Sequence, residues 1–374
     1  MTNQYDVIVV GGGVMGGSTA FQLAKRGYKI LLLEKEQIGG KASSSAAGMI
    51  GAQVELHADN PMFQLARESR KQFPALANEI KELTGIDIEY RKNGMFKVAL
   101  TKEEQREYQQ VIETQNRLGE QADWIPAEEI PKHEPLLSDH LLGAMYVKGD
   151  GQVSAPDLTK GLLKSAAALN TNIKEYCEVK SFLQEQDQII GVSTSEGNFY
   201  SQYVVVTAGA WTTQLIHESG IDLKGYPVKG ECFSVITHKP LISRTIFSES
   251  CYIVPKKGGR LIVGATVKPY SFSQKITVQG IAYLLDKAKS ILPSIEKAQW
   301  DKTWAGIRPQ SVDGLPYLGE HPDYQNLFIA NGHFRNGILL SPITGLIMAD
   351  LIEGNKPTID VDPFRIDRMF QQVK

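Results

Sequence analysis

Three glycines near the start of the chain, Gly11, Gly13 and Gly16, have the spacing G-x-G-x-x-G. The first glycine permits a tight turn, the second lets backbone approach a pyrophosphate, and the third lets a helix pack closely on a strand. A helix that begins at such a turn presents free N–H groups and positive potential to phosphates. The chemistry that this spacing indicates is dinucleotide binding.

The elements around these glycines support that interpretation. Asp6–Val10 and Lys29–Leu33 are short apolar segments typical of buried strands, and Ser18–Arg26 has helical periodicity. Glu34 follows the second strand, where its carboxylate can accept hydrogen bonds from a ribose 2′-hydroxyl. The unit is therefore predicted to bind a dinucleotide, but the motif alone does not separate FAD from NAD.

Two features favour FAD. The strand that leads into the motif begins at residue 6, so the motif opens the whole chain, and residues 39–52 are almost all small. In this segment Ser43 and Ser44 offer hydroxyl donors, while Ala47 and Gly48 leave room for backbone to lie against a flat ring. A flexible linker has a similar composition. Because a linker here would separate the unit from its sheet, we predict a loop that contacts the ligand.

A second group of polar residues lies near the other end of the chain. Residues 331–337, NGHFRNG, follow a predicted buried strand at 326–330 and precede a predicted helix that begins at Ile338. Arg308 stands in residues 304–320, a glycine- and proline-containing stretch that we predict to be a loop. A guanidinium can bind a carboxylate through two parallel hydrogen bonds. An ordinary ion pair within the protein explains Arg308 equally well at this stage.

The bulk properties exclude several other classes of function. The chain has 374 residues, a formal net charge of −2 and three widely spaced cysteines, Cys177, Cys232 and Cys251. Neither nucleic-acid binding nor membrane binding fits this charge balance, and neither a disulfide framework nor a metal site fits the cysteine and histidine spacing. The N-terminus lacks the pattern of a signal peptide, and Pro342 and Asp350 interrupt the longest apolar stretch near the end. We expect a cytoplasmic protein without bound metal.

We predict an α/β protein, α+β when all of it is considered, with two domains. Residues 251–255 and 260–265 read as a hairpin outside the dinucleotide-binding unit, which indicates a second sheet that is mixed or antiparallel. A discontinuous Rossmann-like FAD-binding domain is assigned residues 1–85, 145–225 and 306–374, and a substrate-binding domain is assigned residues 86–144 and 226–305.

Several motifs together resemble the FAD-dependent amino-acid oxidases of the D-amino-acid oxidase and sarcosine oxidase type, and among them the glycine oxidases most. The motifs are VIVVGGGVMGGSTAFQLAKRG, SSSAAGM, PVKGE, CYIVPKKGGRLIVGAT, WAGIRPQSVDGLPYLG and GHFRNGILLSPITG, and the similarity covers essentially the whole chain. The resemblance implies non-covalent FAD and oxidation of glycine, sarcosine or small D-amino acids by O₂. It also implies a homotetramer and, for glycine, a supply of material for the thiazole of thiamine.

The resemblance also implies roles for individual residues. Arg308 would pair with the substrate carboxylate, Tyr252 would hydrogen-bond it, and Arg335 would border both flavin and substrate. The residues expected to line the substrate are Met49, Gly51, Ser250 and Val267, and glycine oxidases can carry His and Met at the last two places. The residues expected to bind FAD are Gly11, Gly13, Val14, Met15, Gly16, Glu34, Lys35, Ser43, Ser44, Ala47, Gly48, Met49, Val179, Gly209, His333, Phe334, Arg335, Asn336, Gly337, Ile338 and Leu339.

Other functions remain open at this stage. An NAD-linked dehydrogenase would share the first motif, and a flavin-binding protein without catalytic activity would share most of the cofactor residues. Monomeric sarcosine oxidase attaches its flavin through a cysteine late in the chain, and no cysteine follows Cys251 here. His333 has two interpretations, a supporting hydrogen bond or direct contact with the ligand.

Overall fold

The structure is a computed structural model that describes residues 4–56, 60–218 and 222–369. Its strands are β1 (Gln4–Val10), β2 (Ile30–Leu33), β3 (Met49–Ile50), β4 (Met95–Ala99), β5 (Asp123–Pro126), β6 (Gly143–Val147), β7 (Gly151–Gln152), β8 (Asn172–Lys174), β9 (Val179–Glu185), β10 (Gln188–Thr194), β11 (Gly197–Val206), β12 (Gly225–Ile236), β13 (Thr245–Phe247), β14 (Tyr252–Pro255), β15 (Arg260–Gly264), β16 (Lys268–Pro269), β17 (Gln299–Ser311), β18 (Tyr317–His321) and β19 (Tyr324–Asn331). Its α-helices are α1 (Val14–Lys25), α2 (Ala42–Ser45), α3 (Pro61–Thr84), α4 (Lys102–Arg117), α5 (Ile130–His133), α6 (Ala155–Ala168), α7 (Thr212–Glu218), α8 (Val278–Ile291) and α9 (Gly337–Ile352).

The first sheet has a parallel centre in the order β8-β2-β1-β11-β19. Alternate side chains of β1 face opposite sides: Val7 and Val9 join a core with α1, α3, α6 and α9, whereas Ile8 and Val10 join a second core on the other face. Because both faces are covered, the strand is a continuous apolar run. This is the Rossmann-like arrangement that the first motif predicts.

Helix α9 is buried nearly all round and packs on α1 through small residues. A side chain at Gly345 would overlap Ser18, and the Ser18 hydroxyl donates to the Ser341 carbonyl over 2.7 Å. Pro342 has no N–H for the carbonyl of Ile338, but the Ser341 hydroxyl donates to that oxygen over 2.9 Å. The helix therefore continues through its proline and brings its N-terminus to the edge of the first sheet.

The second sheet has the order β16-β12-β15-β14-β13-β4-β6-β5, with β17 also paired to β12. Most neighbours are antiparallel, and β13 is parallel to β4, so the sheet is mixed. Strands β14 and β15 form the predicted hairpin. A small third sheet consists of β3 and β7, and the prediction of an α/β protein with a second, mixed sheet is confirmed.

Two local predictions were wrong. Residues 304–311 are not loop but the second half of β17, which pairs with β12 from Gly225 to Ile236. Pro309 is tolerated because β12 is the only strand neighbour of β17 in the described part of the sheet, so the missing N–H costs little. Within residues 39–52, the predicted loop contains the short helix α2 and the strand β3.

The predicted domain boundaries cross three strands of the second sheet. Strand β17 continues through residue 306, β6 continues through residue 145, and β12 begins at Gly225, one residue before the boundary at 226. Residues 1–3, 57–59, 219–221 and 370–374 of the predicted ranges lie outside the described residues. In the part of the chain that is described, no helix has the length and apolar character needed to cross a bilayer.

Candidate active site

The glycine-rich turn after β1 forms one end of a cavity with a volume of about 360 Å³. Gly11 has φ +111, which favours glycine, and a Cβ at Gly16 would overlap the carbonyl oxygen of Gly11. Helix α1 begins at Val14 without a side-chain cap at Gly13. The Ser43 hydroxyl accepts a hydrogen bond from the Val14 N–H over 2.9 Å. The turn thus leaves a backbone cradle at a helix N-terminus, which fits a pyrophosphate.

The carboxylate of Glu34 is fixed beside this cradle. It accepts hydrogen bonds from the N–H of Gly12 over 2.8 Å and from the N–H of Glu36 over 2.9 Å. Each bond uses one carboxylate oxygen, so lone pairs remain for a ribose hydroxyl. Lys35 adds a cation whose Nζ lies 4.4 Å from the ring centroid of Trp211, another residue of the cavity wall.

The small-residue segment forms the middle of the cavity wall. Gly48 has φ +81, and a Cβ there would overlap the carbonyl oxygen of Val153. Ala47 is buried beside it. The hydroxyl of Ser44 instead donates to the carbonyl of Gly39 in its own loop. Segment 42–49 therefore brings backbone against the cavity, as a flat ligand requires.

The second loop, residues 331–337 from the end of β19 to the start of α9, closes the cavity with residues from late in the sequence. Gly337 and Ile338, the first residues of α9, line the cavity, and Asn336 provides no side-chain cap. Free N–H groups and the positive end of α9 therefore face the same space as those of α1. Two helix N-termini, a glycine cradle and a carboxylate for ribose match the chemical groups of FAD, so the residues present fit this cofactor.

Arg308 lines the same cavity from β17 of the second sheet. Its Nη1 donates to the carbonyl of Thr266 over 3.3 Å, and its Cζ lies 5.8 Å from the ring centroid of Phe334. A Cβ at Gly230, on the neighbouring strand, would overlap the guanidinium. Among the residues that the structure describes, no carboxylate lies within 4.0 Å of it. A half-buried guanidinium without a charge partner is well suited to bind an anionic ligand.

Tyr252 lies near Arg308 and is almost completely buried on β14. Its hydroxyl is 3.6 Å from the thiol of Cys232, and a Cβ at Gly264 would overlap it. Burial, together with the neighbouring Cys232, raises the pKa of Tyr252 well above its usual value. The phenol therefore stays protonated and can donate a hydrogen bond into the cavity.

Arg335 differs from Arg308 because it has a charge partner. Its Nη2 lies 3.2 Å from the carboxylate of Glu55, whose side chain is only 7% exposed. Its Cζ lies 5.4 Å from the ring centroid of Phe247. Burial raises the pKa of Glu55, and Arg335 opposes that rise. Arg335 therefore has a carboxylate partner, whereas Arg308 has none among the described residues.

An internal carboxylate shapes the loop that carries Glu55. Asp150 accepts hydrogen bonds from three consecutive N–H groups, those of Ala52 and Gln53 over 3.1 Å and that of Val54 over 3.0 Å. The Nη1 of Arg70 completes the arrangement at 2.5 Å. Residues 51–55 are therefore held around a fully buried anion next to the cavity.

His333 is buried, and its Nε2 lies 3.0 Å from the hydroxyl of Thr344 in α9. Burial lowers the pKa of His333 to about 3, so the imidazole is neutral near pH 7. The ring also lines the cavity. Of the two interpretations of His333, this geometry favours support of the second loop.

The depressed pKa of His333 predicts a loss of stability in acid. The unfolded chain binds the proton with a pKa of about 6.5 and the folded protein does not, so stability falls as pH falls below that value. Between about pH 6.5 and about pH 5 the expected contribution is roughly 1.5 kcal/mol of unfolding free energy. Urea unfolding at both pH values should show this difference between wild type and His333→Gln. An equal pH dependence in the two proteins would contradict the prediction.

The structure brings most of the predicted site residues to one cavity. Those that line it are Gly11, Gly13, Val14, Met15, Glu34, Lys35, Ser43, Ala47, Gly48, Met49, Val179, Gly209, Tyr252, Arg308, His333, Phe334, Arg335, Gly337 and Ile338. Those outside its wall are Gly16, Ser44, Gly51, Ser250, Val267, Asn336 and Leu339. Gly16 shapes the cradle by packing, whereas Val267 is 58% exposed.

Sequence reasoning missed several residues of the site. Cys232 and Trp211 line the cavity, and Glu55 pairs with Arg335. Gly230 also lines the cavity and leaves room for Arg308, whereas Asp150 lies behind the wall and holds the 51–55 loop. No local sequence pattern predicts these residues as site residues, because each contacts its partner only when distant segments of the chain come together.

Comparison with known proteins gives consistent similarities. The profile of the family described as FAD dependent oxidoreductase matches residues 6–351. The chain is 45% identical to the glycine oxidase of Geobacillus kaustophilus over 100% of this chain and 99% of that protein. A crystal structure of glycine oxidase from Geobacillus kaustophilus superposes with a TM-score of 0.96 and 45% identity, over 98% of this chain and 99% of that chain. The bifunctional protein ThiO/ThiG of Trichormus variabilis is 31% identical over 98% of this chain and 55% of its own length.

Proposed function

This chain belongs to the family of FAD-dependent oxidoreductases, and we propose that its reaction is the oxidation of glycine by O₂ and water to glyoxylate, ammonia and hydrogen peroxide. The full-length similarity to a glycine oxidase supports the choice of substrate. The family and the cavity agree on FAD as the cofactor.

The position of Arg308 is the main observation that supports the proposal. Its guanidinium has no carboxylate partner among the described residues, yet it lies in the same cavity as the glycine-rich cradle. An amino-acid carboxylate would supply the missing charge through two N–H···O bonds. A ligand held in this way has its amine and Cα inside the cavity, between Arg308 and the cofactor residues.

The other residues have binding and orienting roles. Tyr252 donates its phenolic proton in a hydrogen bond to the substrate carboxylate, because its raised pKa keeps that proton in place. Arg335 is already paired with Glu55 and leaves the substrate carboxylate to Arg308. His333 holds the second loop through Thr344. No side chain is assigned as a general base, so glycine is oxidised with its amine already deprotonated.

FAD, when bound, supplies the acceptor for the hydride that leaves Cα. The contribution of this chain is orientation of the substrate and exclusion of water. Met49, Tyr252 and Phe334 line the cavity with apolar surface. The first sheet with α1 and α9 forms the cofactor half, and the second sheet with Arg308 and Tyr252 forms the substrate half.

The finer aspects of this function are part of the same proposal. FAD is held without a covalent bond, and sarcosine and small D-amino acids are secondary substrates. The protein works as a homotetramer in the cytoplasm, and its product supplies formation of the thiamine thiazole. Similarity to a bifunctional ThiO/ThiG protein supports this last assignment.

The test is an oxygen-electrode panel with the purified, FAD-loaded protein. Glycine, sarcosine and D-alanine are compared at equal concentrations, and peroxide is measured separately. We expect oxygen uptake with glycine, peroxide release, and partial return of the oxygen when catalase is added. A protein that takes up FAD but oxidises none of the three would remove the proposed substrate class, and a colourless protein that takes up no FAD would contradict the cofactor.

A further inference from the structure

The PVKGE motif on β12 contains a buried ion pair that the proposed function does not use. The Nζ of Lys229 lies 2.7 Å from the carboxylate of Glu231, and both side chains are only 4% exposed. Burying two charges costs desolvation free energy, and an apolar pair of similar volume is often at least as stable. Stability alone therefore does not explain why the chain has a buried ion pair at this place.

The two charges are on the opposite face of β12 from Arg308. Gly230, between them, is the residue whose Cβ would overlap the guanidinium. Since side chains alternate along a strand, Lys229 and Glu231 point away from Arg308. Lys229 and Glu231 can therefore affect Arg308 only through another segment, residues 266–277.

The main chain of Glu231 holds this segment at its start, and the side chains of Glu231 and Lys229 hold it at its end. At its start, the N–H of Glu231 donates to the hydroxyl of Thr266 over 2.9 Å, and the N–H of Thr266 donates to the Glu231 carbonyl over 3.2 Å. At its end, the Glu231 carboxylate accepts from the N–H of Thr277 over 2.8 Å and from its hydroxyl over 3.1 Å. Lys229 donates to the carbonyl of Lys275.

The surroundings of the Glu231 carboxylate favour its contact with Thr277. A Cβ at Gly280, in the first turn of α8, would overlap the carboxylate of Glu231. The positive end of α8 favours an anion there. Burial by itself raises the pKa of Glu231, but hydrogen bonds from Lys229 and Thr277 outweigh it, so the pKa is lowered and the group is ionised.

The held segment runs along the edge of the active-site cavity. Its first residue, Thr266, gives the carbonyl that accepts from Arg308. Farther along, Phe272 lies with its ring centroid 5.7 Å from that of the cavity residue Trp211. Tyr270 is 77% exposed and stacks only on Tyr226 in the described structure, with centroids 4.6 Å apart. Besides these ring contacts, the segment is held by the pairing of β16 with β12 and by the contacts of Lys229 and Glu231.

We propose that the side chains of Lys229 and Glu231 are positioning groups for substrate binding: by fixing residues 275–277 they keep the whole of segment 266–277 in place, and with it the Thr266 carbonyl that orients the guanidinium of Arg308. The inference rests on the proposed role of Arg308. It predicts that loss of the pair weakens binding of carboxylates and leaves the subsequent chemistry nearly unchanged.

The test uses two variants and a control from the same sheet. Glu231→Gln keeps the shape but removes the charge, and the double variant Lys229→Met/Glu231→Leu removes the pair without leaving a buried charge. The control, Asp301→Asn, disturbs a carboxylate that accepts from Ser234 of β12 over 2.6 Å and from Arg260 over 2.9 Å, away from Arg308. The probe is acetate, whose dissociation constant is measured by its effect on the visible spectrum of the FAD-loaded protein.

We expect both variants to raise the KM for glycine and the Kd for acetate about tenfold, the effect of losing roughly one hydrogen bond. The kcat should stay within about twofold, since the interaction removed serves ground-state and transition-state binding alike. Chymotrypsin should cut faster after Tyr270 and Phe272 than in wild type, and Asp301→Asn should change none of these values.

The inference is overturned if either folded, FAD-loaded variant binds acetate as wild type does. It is also overturned if the double variant loses stability while its acetate affinity and chymotrypsin cleavage stay unchanged, since the pair would then be purely structural. Acetate binding requires no turnover. A failure of the wild type to oxidise glycine would therefore contradict the proposed function while leaving this comparison valid.

Discussion

Replacement of Arg308 by alanine is expected to raise the KM for glycine by at least ~100-fold, because two charge-assisted hydrogen bonds worth about 1.5–3 kcal/mol each are lost. The Kd for acetate should rise in parallel. The FAD content and the spectrum of the free holoprotein should stay close to wild type, since Arg308 belongs to β17 of the second sheet, whereas the glycine-rich turn follows β1 of the first sheet. Steady-state kinetics and spectral titration with acetate measure these effects.

Arg308→Lys is the matched control for charge. Lysine keeps the cation but lacks the planar fork that binds both carboxylate oxygens. We expect its KM to lie between those of wild type and Arg308→Ala. If Arg308→Ala retains the wild-type KM and acetate affinity, Arg308 does not bind the substrate carboxylate.

Replacement of Gly16 by alanine should give the second large effect, on the cofactor. The new Cβ would overlap the carbonyl oxygen of Gly11, and backbone cannot move aside as a side chain can. Overpacking of this kind costs about 1–3 kcal/mol, and the shift would distort the phosphate cradle. We expect lower thermal stability and a preparation that loses FAD on gel filtration.

Gly17→Ala is the control for Gly16→Ala, because it lies one residue farther along the same helix. Its Cβ would meet the side chain of Leu163 at 3.2 Å, and that side chain can adjust. The gain in helix propensity, up to about 1 kcal/mol, offsets part of the cost. Equal FAD retention by the two variants would show that the close approach of Gly16 to Gly11 is unimportant.

The parts of this protein that sequence predicts best are those encoded by local patterns. The turn from Gly11 to Gly16 and the hairpin of β14 and β15 both depend on neighbours in the chain. The second loop was also recognisable, since NGHFRNG lies between an apolar strand and an apolar helix. These patterns, with the resemblance to amino-acid oxidases, predict the fold and the cofactor.

The parts that sequence could not predict depend on distant pairing. Residues 304–311 read as loop because of Gly306 and Pro309, but their register against β12 makes them strand and aims Arg308 at Gly230. In the same way, the partner of Arg335 is Glu55, and only the folded chain brings the two together. Contacts of this kind leave no periodic signal in either segment.

The discontinuous cavity has a consequence for synthesis of the protein. The glycine-rich turn is made some three hundred residues before β19 and the N-terminus of α9, which complete the first sheet and the cavity. Domains commonly begin to fold from the N-terminus while the chain is still growing. Here the nascent chain exposes a phosphate cradle without the residues that close it, so tight loading of FAD must wait until α9 has emerged from the ribosome.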